Sequence, residues 1–507
     1  MSLIKIKKEH RVYTENTYGH NLILAPTQVG KTSNWVIPQI ELWLRSPEKP
    51  NIIVTDPKSE VFSKLATVAL SEGYDVKVFN LKNPSLSHHY NFLEDIYDSY
   101  MEQYLPIKNQ LDFNKILSSN QPVIEYNNQL KEKGIYLDLS TVMKKINLIG
   151  DALIEEYKSG SEGNEYFKNA PRMLVKAAIT YLLELSILRD SKSRFNLQSV
   201  NVFLSSEAFQ ITGDSTTFYD NVVKNLPSDH LVRTYYKGED LRNLGPFLIE
   251  ANKQLSRFTY NIGQLTANSD FSAQNFCQSI DPTILFVLIP TTESDSFDIA
   301  KLLVEQLTDN IIRYADRLAE RKLPRRLEVV LEEMGNLPAI DKIGTYLSEG
   351  LSRNFRYSMI IQTRNQLLDK YGEYVSSIIL SNTHNKIFFQ NADRDEQDWI
   401  SKQFNETIKM DKSTTGKQLS QINPYWHEEK DDLVNSFQVG LLDKGEALIL
   451  TRNGPIESNF IHESILSPTV YQRQITDQQF FDTIRYKNAT LPINQIAYLD
   501  AIKQPWS

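Results

Sequence analysis

Cysteine and long apolar runs are what this chain has least of. Its single cysteine among 507 residues, Cys277, cannot form an internal disulfide, so the sequence favours a reducing compartment such as the cytoplasm. No run of 18 apolar residues and no signal-peptide segment occurs, which predicts that the chain has no transmembrane helix. The net charge of -8 excludes a globally basic protein, so any contact with nucleic acid must come from local patches.

A phosphate-binding loop is the most specific motif that is present. Leu22–Leu24 is an apolar run typical of a buried strand, and Ser33–Leu44 has the apolar spacing of a helix. The residues between them have the spacing of a P-loop, with Ala25 where that motif has its first glycine. In such a loop backbone N–H groups surround a β-phosphate, Lys31 reaches the β- and γ-phosphates, and the Thr32 hydroxyl binds Mg²⁺. The predicted nucleotide contacts are Ala25, Pro26, Thr27, Gln28, Val29, Gly30, Lys31, Thr32 and Ser33.

An acidic pair at the end of a second apolar strand lies far along the chain. Leu327–Leu331 is the predicted strand, and Glu332 and Glu333 follow it directly. This is the Walker B arrangement, in which one carboxylate holds the Mg²⁺ shell and the next orients or deprotonates the attacking water. We assign the first role to Glu332 and the second to Glu333. The first position is usually aspartate, so the extra methylene predicts a different metal geometry. Acidic residues that merely end a strand are the alternative.

Further polar residues stand where such a site needs them, each with a structural alternative. Gln362 ends the strand predicted at Met359–Ile361, where its amide senses the γ-phosphate or is an ordinary strand-end amide. Arg353 is the candidate arginine that one subunit supplies to its neighbour, or it forms a surface salt bridge. Asp56 or Lys58, at the end of another apolar strand, supports the metal shell or a neighbouring nucleotide site, or belongs to a plain strand-to-helix turn.

The length and the order of the patterns predict more than one domain. A single hydrophobic core stops growing at roughly 250–300 residues, and strand and helix patterns alternate at both ends of the chain but not in its middle. Such alternation indicates an α/β fold with a mainly parallel sheet. We expect four segments: residues 1–93, the first part of a nucleotide-binding domain; 94–274, an inserted all-α substrate-recognition domain; 275–470, the second part of the nucleotide-binding domain; and 471–507, a C-terminal tail.

Two local predictions concern elements outside these motifs. Asn169 is predicted to cap the clearest helix of the middle segment, with Pro171 tolerated in its first turn. The polar stretch from Met410 to Asp432 is predicted to be a loop. Neither prediction bears on the chemistry.

The motifs, taken in order, resemble those of the type IV secretion coupling proteins, the DNA-pumping ATPases of bacterial conjugation. Asn21–Ser33 is similar to the family's P-loop, Asp56–Glu60 to its Asp-Pro-Lys-Gly-Glu, and Leu331–Asn336 to its Leu-Asp-Glu-Phe-x-Asn. The ordered set covers about residues 20–95 and 250–460. The shorter matches are Val36–Pro38, Tyr90–Asn91, Arg353–Phe355, Gln362–Leu367, Tyr371–Gly372 and Asn382.

This resemblance implies a RecA-like P-loop ATPase that uses ATP and Mg²⁺, is interrupted by an all-α domain and assembles as a homo-hexamer when active. It implies that the helical domain receives single-stranded DNA with relaxase and relaxosome proteins, or protein substrates. The implied further partners are the ATPases and membrane components of the secretion channel, at the inner face of the bacterial cell membrane. Most such proteins have an N-terminal membrane anchor; here we expect a soluble form, monomeric at low concentration, or a truncated chain.

Two other functions stay open at this point. A docking receptor that binds nucleotide and substrate but hydrolyses little is favoured by Glu332 in place of aspartate. A chromosome-partition translocase has the same kind of motor, but no appended DNA-reading domain is visible in the sequence. Turnover of ATP with and without single-stranded DNA separates a motor from a receptor.

Overall fold

The computed structural model describes most of the chain, including every predicted site residue. The described residues are 2–5, 12–15, 19–154, 165–212, 215–236, 244–404, 406–415, 423–432, 434–451, 454–459 and 475–487. Of the predicted C-terminal tail, residues 471–507, only 475–487 are among them, and the rest of the tail lies outside the described residues.

The chain divides into two compact units. Met1–Val78 and Ala273–Ile484 form the first, which we call the sheet unit, and Phe79–Ser272 with Arg485–Ser507 form the second, the helical unit. The division at 93 and 274 that the sequence suggested stays a prediction about functional domains.

One large sheet organises the sheet unit. Its strands follow the order β2-β1-β15-β14-β11-β3-β10-β9-β4-β8-β5, and β12 and β13 form a separate two-stranded sheet. The strands of the chain are β1 Ser2–Lys5, β2 Val12–Glu15, β3 His20–Leu24, β4 Asn51–Asp56, β5 Asp75–Asn80, β6 Ile211–Thr212, β7 Ser215–Thr216, β8 Thr283–Leu288, β9 Leu327–Leu331, β10 Phe355–Ile361, β11 Thr383–Phe389, β12 Glu406–Thr415, β13 Asn423–Asp432, β14 Glu446–Thr451 and β15 Gly454–Asn459.

The centre of this sheet is parallel and fully buried. From β11 through β3, β10, β9 and β4 to β8, each neighbouring pair is parallel, whereas β14, β15, β1 and β2 add antiparallel strands at one side. Every residue of β3, β4, β8 and β9 is buried, as strands covered by helices on both faces must be. Parallel strands end at the same edge, so the residues after β3, β4, β9 and β10 meet there. The predicted fold class, an α/β fold with a mainly parallel sheet, is confirmed.

Helices cover the sheet and connect its strands. A wider helical turn, Thr32–Val36, follows the loop after β3 and continues into the first regular helix. The helices of this unit are α1 Ile37–Arg45, α2 Glu60–Ser71, α13 Ala273–Gln278, α14 Ser294–Arg317, α15 Ile343–Gly350, α16 Asn365–Asn382, α17 Arg394–Gln403, α18 Ser436–Gly440 and α19 Asp477–Lys487, where numbers 3 to 12 belong to the helical unit.

The helical unit packs around one long central helix. Its helices are α3 Glu94–Tyr104, α4 Phe113–Ser118, α5 Pro122–Glu132, α6 Ser140–Leu153, α7 Glu165–Leu188, α8 Leu197–Leu204, α9 Thr217–Asn221, α10 Leu231–Tyr235, α11 Leu244–Leu255 and α12 Tyr260–Leu265. The central helix α7 contacts α3, α5, α6, α8, α10 and α11, so its apolar side chains form the core of the unit. Within the residues described here, the strands are the two-residue pair β6 and β7.

Two local predictions are wrong. The central helix begins at Glu165 rather than after Asn169, so Pro171 lies inside it; packing of the helix outweighs the lost N–H and the steric cost of proline, which is about 3 kcal/mol in a helix interior. The stretch predicted as a loop from Met410 to Asp432 contains most of the hairpin of β12 and β13. A hairpin that forms its own sheet does not need the apolar alternation that identifies a half-buried strand.

Two features that are scarce in the sequence, long apolar segments and cysteine, both concern the structure's helices. In the part of the chain that is described, no helix is both long enough and apolar enough to cross a bilayer. Cys277 lies in α13 and is 5% exposed, and burial raises the pKa of its thiol to about 12.

Candidate nucleotide site

The loop after β3 has the backbone of a phosphate-binding loop. It leaves the sheet at Ala25, which is buried and donates its N–H to the carbonyl of Ile361 at 2.9 Å. Gln28 and Gly30 then take φ angles of +68° and +90°, the left-handed conformation that turns a chain back on itself. The Asn34 N–H bonds to the Gly30 carbonyl at 2.9 Å, which starts the helix. Alanine at the first motif position is therefore compatible with the loop.

Lys31 and Thr32, the first residues of that helix, contact the acidic pair after β9. Thr32 Oγ1 donates to Glu332 Oε1 at 2.6 Å, and Lys31 Nζ lies 3.3 Å from Glu333 Oε1. All four side chains are less than a tenth exposed. The residues that the sequence assigned to two separate motifs thus form one cluster, joined across about 300 positions of the chain. An ammonium group has three donors, so Lys31 keeps donors for a further acceptor.

Glu332 is a buried carboxyl group with an unused oxygen. Only 2% of the residue is exposed, and Oε2 has no hydrogen-bond partner among the described residues. Burial, followed by the negative charge of Asp56, raises the pKa of Glu332 to about 8, while the Thr32 bond and the Lys31 charge oppose the shift. Two buried carboxyl groups close together are costly unless a cation offsets their charge.

This donor set fits Mg²⁺. The described residues contain no group of three or more His, Cys, Asp or Glu side chains suited to a metal ion, so the chain offers a hydroxyl and a carboxylate oxygen rather than a full cage. Mg²⁺ is typically bound in this way, by one or two protein oxygens together with waters and substrate phosphates. The side chain of Glu332 is long enough to reach the Thr32 hydroxyl directly.

Glu333 occupies a strained backbone position among positive charges. Its φ is +58°, which is uncommon for a residue with a side chain. Lys58 Nζ lies 3.8 Å from Glu333 Oε1, and Asn336 Nδ2 donates to Oε2 at 3.1 Å. Glu333 therefore faces Lys31 and Lys58 with its orientation fixed by Asn336. Strained residues persist where their surroundings over-determine them, and they cluster at functional sites.

Asp56 and Gln362 lie at the same edge of the sheet. Asp56 is fully buried, and its Oδ2 accepts the N–H of Phe62 in α2 at 2.8 Å, while its charge acts on Glu332. Its bond to α2 is that of the strand-to-helix turn, and its charge lies near Glu332; a role of Asp56 in a metal shell stays a prediction. Gln362 is partly exposed, and its backbone N–H donates to Gln366 Oε1 at 2.8 Å.

Arg353 is a predicted site residue that lies away from this cluster. It precedes β10, whose opposite end carries Gln362, so about seven residues of extended strand separate it from the nucleotide edge. Arg353 Nε donates to Asp316 Oδ1 at 2.8 Å, and Nη2 lies 3.3 Å from Glu349 Oε2. Within this chain, Arg353 therefore forms the salt bridges that the sequence left as the alternative.

A turn before β14 is a part of the site that sequence reasoning missed. A Cβ on Gly30 would come within 2.4 Å of Asn34 Nδ2 and 3.5 Å of the Lys444 side chain, and a Cβ on Gly445 would lie 2.9 Å from Asn34 Oδ1. Lys444 therefore lies beside the phosphate loop. Gly445 has a φ of +90°, and a glycine at this position is a turn signal that the sequence contains. The closeness of this turn to Asn34 has no such signal in the sequence.

Comparisons with known proteins agree with this geometry. The family described as Type IV secretory system Conjugative DNA transfer matches residues 5–459. The protein VirD4 of Rhizobium radiobacter is 22% identical over 458 residues, which cover 87% of this chain and 56% of VirD4. VirD4 of Rhizobium rhizogenes is also 22% identical, over 87% of this chain and 58% of its own. The chain thus spans less than two thirds of the length of these relatives.

Solved structures show the same fold. The unbound monoclinic form of the bacterial conjugative coupling protein TrwBdeltaN70 aligns with a TM-score of 0.56 at 12% identity, over 89% of this chain and 92% of that one. The plasmid coupling protein TrwB in complex with ADP and Mg²⁺ aligns with a TM-score of 0.53 at 13% identity, over 87% and 85%. The fold is therefore shared at low sequence identity.

Proposed function

The chain belongs to the type IV secretory system conjugative DNA transfer family, and from that premise we propose that it is an ATP-driven coupling protein. In this role it recruits a relaxase–DNA complex or protein substrates and energises their transfer to the secretion channel. The observation that carries the proposal is the cluster of Lys31, Thr32, Glu332 and Glu333, with Thr32 and Glu332 2.6 Å apart and one Glu332 oxygen unused.

Each residue of the cluster has a distinct role in the proposed hydrolysis. Thr32 and Glu332 hold Mg²⁺, which supplies charge neutralisation to the phosphates when bound. Lys31 donates to the β- and γ-phosphates, and Glu333 accepts the proton of the attacking water at a carboxylate oxygen. Gln362, at the end of β10, orients that water or senses the γ-phosphate. The TrwB complex with ADP and Mg²⁺ supports the same ligands here.

Turnover of ATP with and without single-stranded DNA tests the proposal. We expect hydrolysis by the wild-type chain and its loss in Lys31→Ala. Lys77→Ala is the matched control, because Lys77 pairs with Asp75 at a similar 3.1 Å but lies in β5, away from the loop. Nucleotide binding without turnover in the wild type would favour the docking receptor, which Glu332 in place of aspartate also favours.

The proposed active form is a homo-hexamer in which Arg353 acts on the nucleotide of the neighbouring subunit. Its position outside the cluster supports a role across an interface, and its pairing with Asp316 is the competing reading. Asp316→Ala breaks that pair from the other side and is therefore the control. We expect Arg353→Ala to lose turnover, Asp316→Ala to keep it, and a mixture of Arg353→Ala with Lys31→Ala to recover it. Equal losses in Arg353→Ala and Asp316→Ala would reduce Arg353 to a structural residue.

The proposed partners follow from the same role. Residues 94–274 are proposed to bind relaxase or relaxosome proteins with single-stranded DNA, at the inner face of the bacterial membrane beside the channel ATPases. The helical composition of this segment, without phosphate-binding motifs, supports a recognition role. Co-purification of a relaxase with the full chain, retained in Lys31→Ala, would support recruitment that is independent of hydrolysis.

A further inference from the structure

A lysine outside every predicted motif holds the turn that carries Glu333. Lys370 lies in α16, and its ammonium donates to the carbonyl oxygens of Met334 at 3.3 Å and Gly335 at 2.7 Å and to that of Leu337. Three donors thus meet three carbonyls of one turn, which is the full capacity of an ammonium group. Burial lowers the pKa of Lys370 to about 8, so the group carries its proton at neutral pH.

Two neighbours of Lys370 on the same helix bind the same segment. The Gln366 side chain lies against Gly335, where a Cβ would come within 2.3 Å of its Oε1, and that oxygen accepts the N–H of Gln362. The Tyr371 hydroxyl accepts the N–H of Ile340 at 3.1 Å. The first part of α16 therefore joins the turn after β9 to the end of β10, the two places where the proposed base and the proposed sensor lie.

The helix itself is interrupted just after these contacts. Gly372 has φ +70° and ψ 173°, which is not a helical conformation, so residues 365–371 form a short segment of their own. On its other side the turn is tied by the Met334 N–H, which donates to the Ile360 carbonyl at 2.9 Å. Hydrogen bonds with α16 and with β10 therefore hold the turn that follows Glu333, the residue with the strained φ.

We propose that Lys370 is a positioning residue for Glu333, which it holds through the carbonyls of the turn. The inference rests on the proposed ATP hydrolysis. Its physical reason is that the base must stand within hydrogen-bond reach of the attacking water, and a displacement of about 1 Å can reduce a rate by roughly 10²-fold. Lys370 contacts neither the proposed base nor the nucleotide loop. Its removal is therefore expected to change the geometry of the site while all the proposed catalytic residues remain present.

The test compares Lys370→Met with Lys370→Arg in the full chain. We expect Lys370→Met to lower kcat by roughly 10-fold to 10²-fold with the KM for ATP and the Kd for a non-hydrolysable ATP analogue changed by less than about twofold. Arginine retains a cation with several donors, so Lys370→Arg is expected to recover most of kcat. A purely structural lysine would lower thermal stability without this split between kcat and KM.

Lys386→Met is the matched control. Lys386 is, like Lys370, a half-buried lysine whose pKa is lowered by burial. It lies in β11, away from the turn, and donates to one carbonyl, that of Thr383, at 3.1 Å. We expect normal kcat in this variant.

If Lys370→Met does not fold, Gln366→Ala loosens the same turn and should give the same split between kcat and KM. Turnover in the wild type with unchanged kcat in Lys370→Met and Gln366→Ala would overturn the inference alone, whereas a wild-type chain without turnover would overturn the proposed hydrolysis.

Discussion

Two glutamates, one in each unit of the chain, are buried to the same extent and have opposite hydrogen-bond environments. Glu184 in the helical unit and Glu332 in the sheet unit are each 2% exposed. Glu184 accepts from Tyr100 Oη at 3.1 Å, Asn127 Nδ2 at 3.1 Å and His230 Nε2 at 3.1 Å. Glu332 accepts from Thr32 alone on one oxygen, and its other oxygen has no partner among the described residues.

The difference separates a carboxylate with a structural role from one that can bind a ligand. Buried polar groups are costly unless they are hydrogen-bonded, so a saturated carboxylate such as Glu184 fixes how helices pack and has no capacity for a ligand. A buried carboxylate with an unused oxygen costs stability unless another group, such as a bound cation, completes it. Burial alone would have marked both residues as candidate sites, and the unused oxygen of Glu332 together with its bond to Thr32 in the predicted phosphate loop distinguishes them.

The largest expected effect comes from Glu333, the proposed base, which follows Glu332 in the chain. Glu333→Gln keeps the shape of the side chain but cannot accept a proton, so we expect turnover to fall by roughly 10²–10⁴-fold. ATP should remain bound, since Lys31 and Thr32 are untouched. Single-turnover kinetics with labelled ATP measure both quantities. Normal hydrolysis in this variant would assign the base to Glu332 or to another group.

Glu332→Gln tests the unused oxygen itself. A neutral amide binds Mg²⁺ more weakly than a carboxylate, so we expect a loss of turnover of roughly 10²-fold, the scale of one electrostatic contact in the transition state. The free energy of unfolding should not fall, because the substitution removes a buried, raised-pKa carboxyl group. Titration of Mg²⁺ into the nucleotide complex provides the second measurement. Unchanged Mg²⁺ dependence would show that Glu332 is no more functional than Glu184.

Glu184→Gln is the converse experiment. The amide leaves one donor of the Tyr100, Asn127 and His230 set without an acceptor, at a cost of about 2 kcal/mol. Residues 79–272 contain no tryptophan, and Trp506 is the one tryptophan in the ranges assigned to the helical unit. In a Trp506→Phe background, tryptophan fluorescence therefore reports on the sheet unit while circular dichroism includes the helical one. We expect the helical signal to melt earlier, with tryptophan fluorescence and ATP turnover unchanged. Reduced turnover would couple Glu184 to the site.

The smallest effect concerns a saturated group within the sheet unit. His20 uses both ring nitrogens: Nε2 donates to the Leu347 carbonyl at 2.8 Å, and Nδ1 accepts the Tyr357 N–H at 2.9 Å. Burial lowers the pKa of His20 to about 4, so the folded state holds fewer protons than the unfolded state between about pH 6.5 and 4. Its contribution to stability is therefore present above pH 6.5 and lost as the pH falls through this window.

His20→Gln should remove that part of the acid sensitivity. Between pH 6.5 and 5.5 we expect the wild-type free energy of unfolding to fall by about 1 kcal/mol more than that of the variant. Urea unfolding followed by tryptophan fluorescence at the two pH values measures the difference. Parallel pH dependence in the two proteins would mean that His20 is protonated in the folded state without cost.

The sequence predicted the central strands and the two motifs because both depend on local spacing. Leu22–Leu24 and Leu327–Leu331 are short apolar runs with specific residues at their ends, and parallel strands bring such ends to one edge. The bond of Lys370 to Met334 and the position of Lys444 near Gly30 carry no local signal. They arise because β10 and β14 lie beside other strands in an order that hydrophobic patterns do not specify.

The same reasoning explains where local rules failed. Pro171 was predicted near the start of a helix because an isolated helix would not extend through it. In the structure α7 continues through Pro171 because it packs against six other helices. Arg353 could be located only as a residue between two strands, and its distance from the cluster depends on the length and direction of β10. Tertiary packing decided both, and no window of sequence contains it.

The buried thiol of Cys277 has a practical consequence for fluorescence studies. Since burial raises the pKa of this only cysteine to about 12, maleimide dyes will leave it unmodified at neutral pH, and the native chain serves as its own cysteine-free background. A pair such as Ser118→Cys and Ser348→Cys, at exposed positions of the helical and the sheet unit, would accept a donor and an acceptor dye. Energy transfer between the dyes would then follow, in real time, how the distance between the two units responds to each round of nucleotide addition.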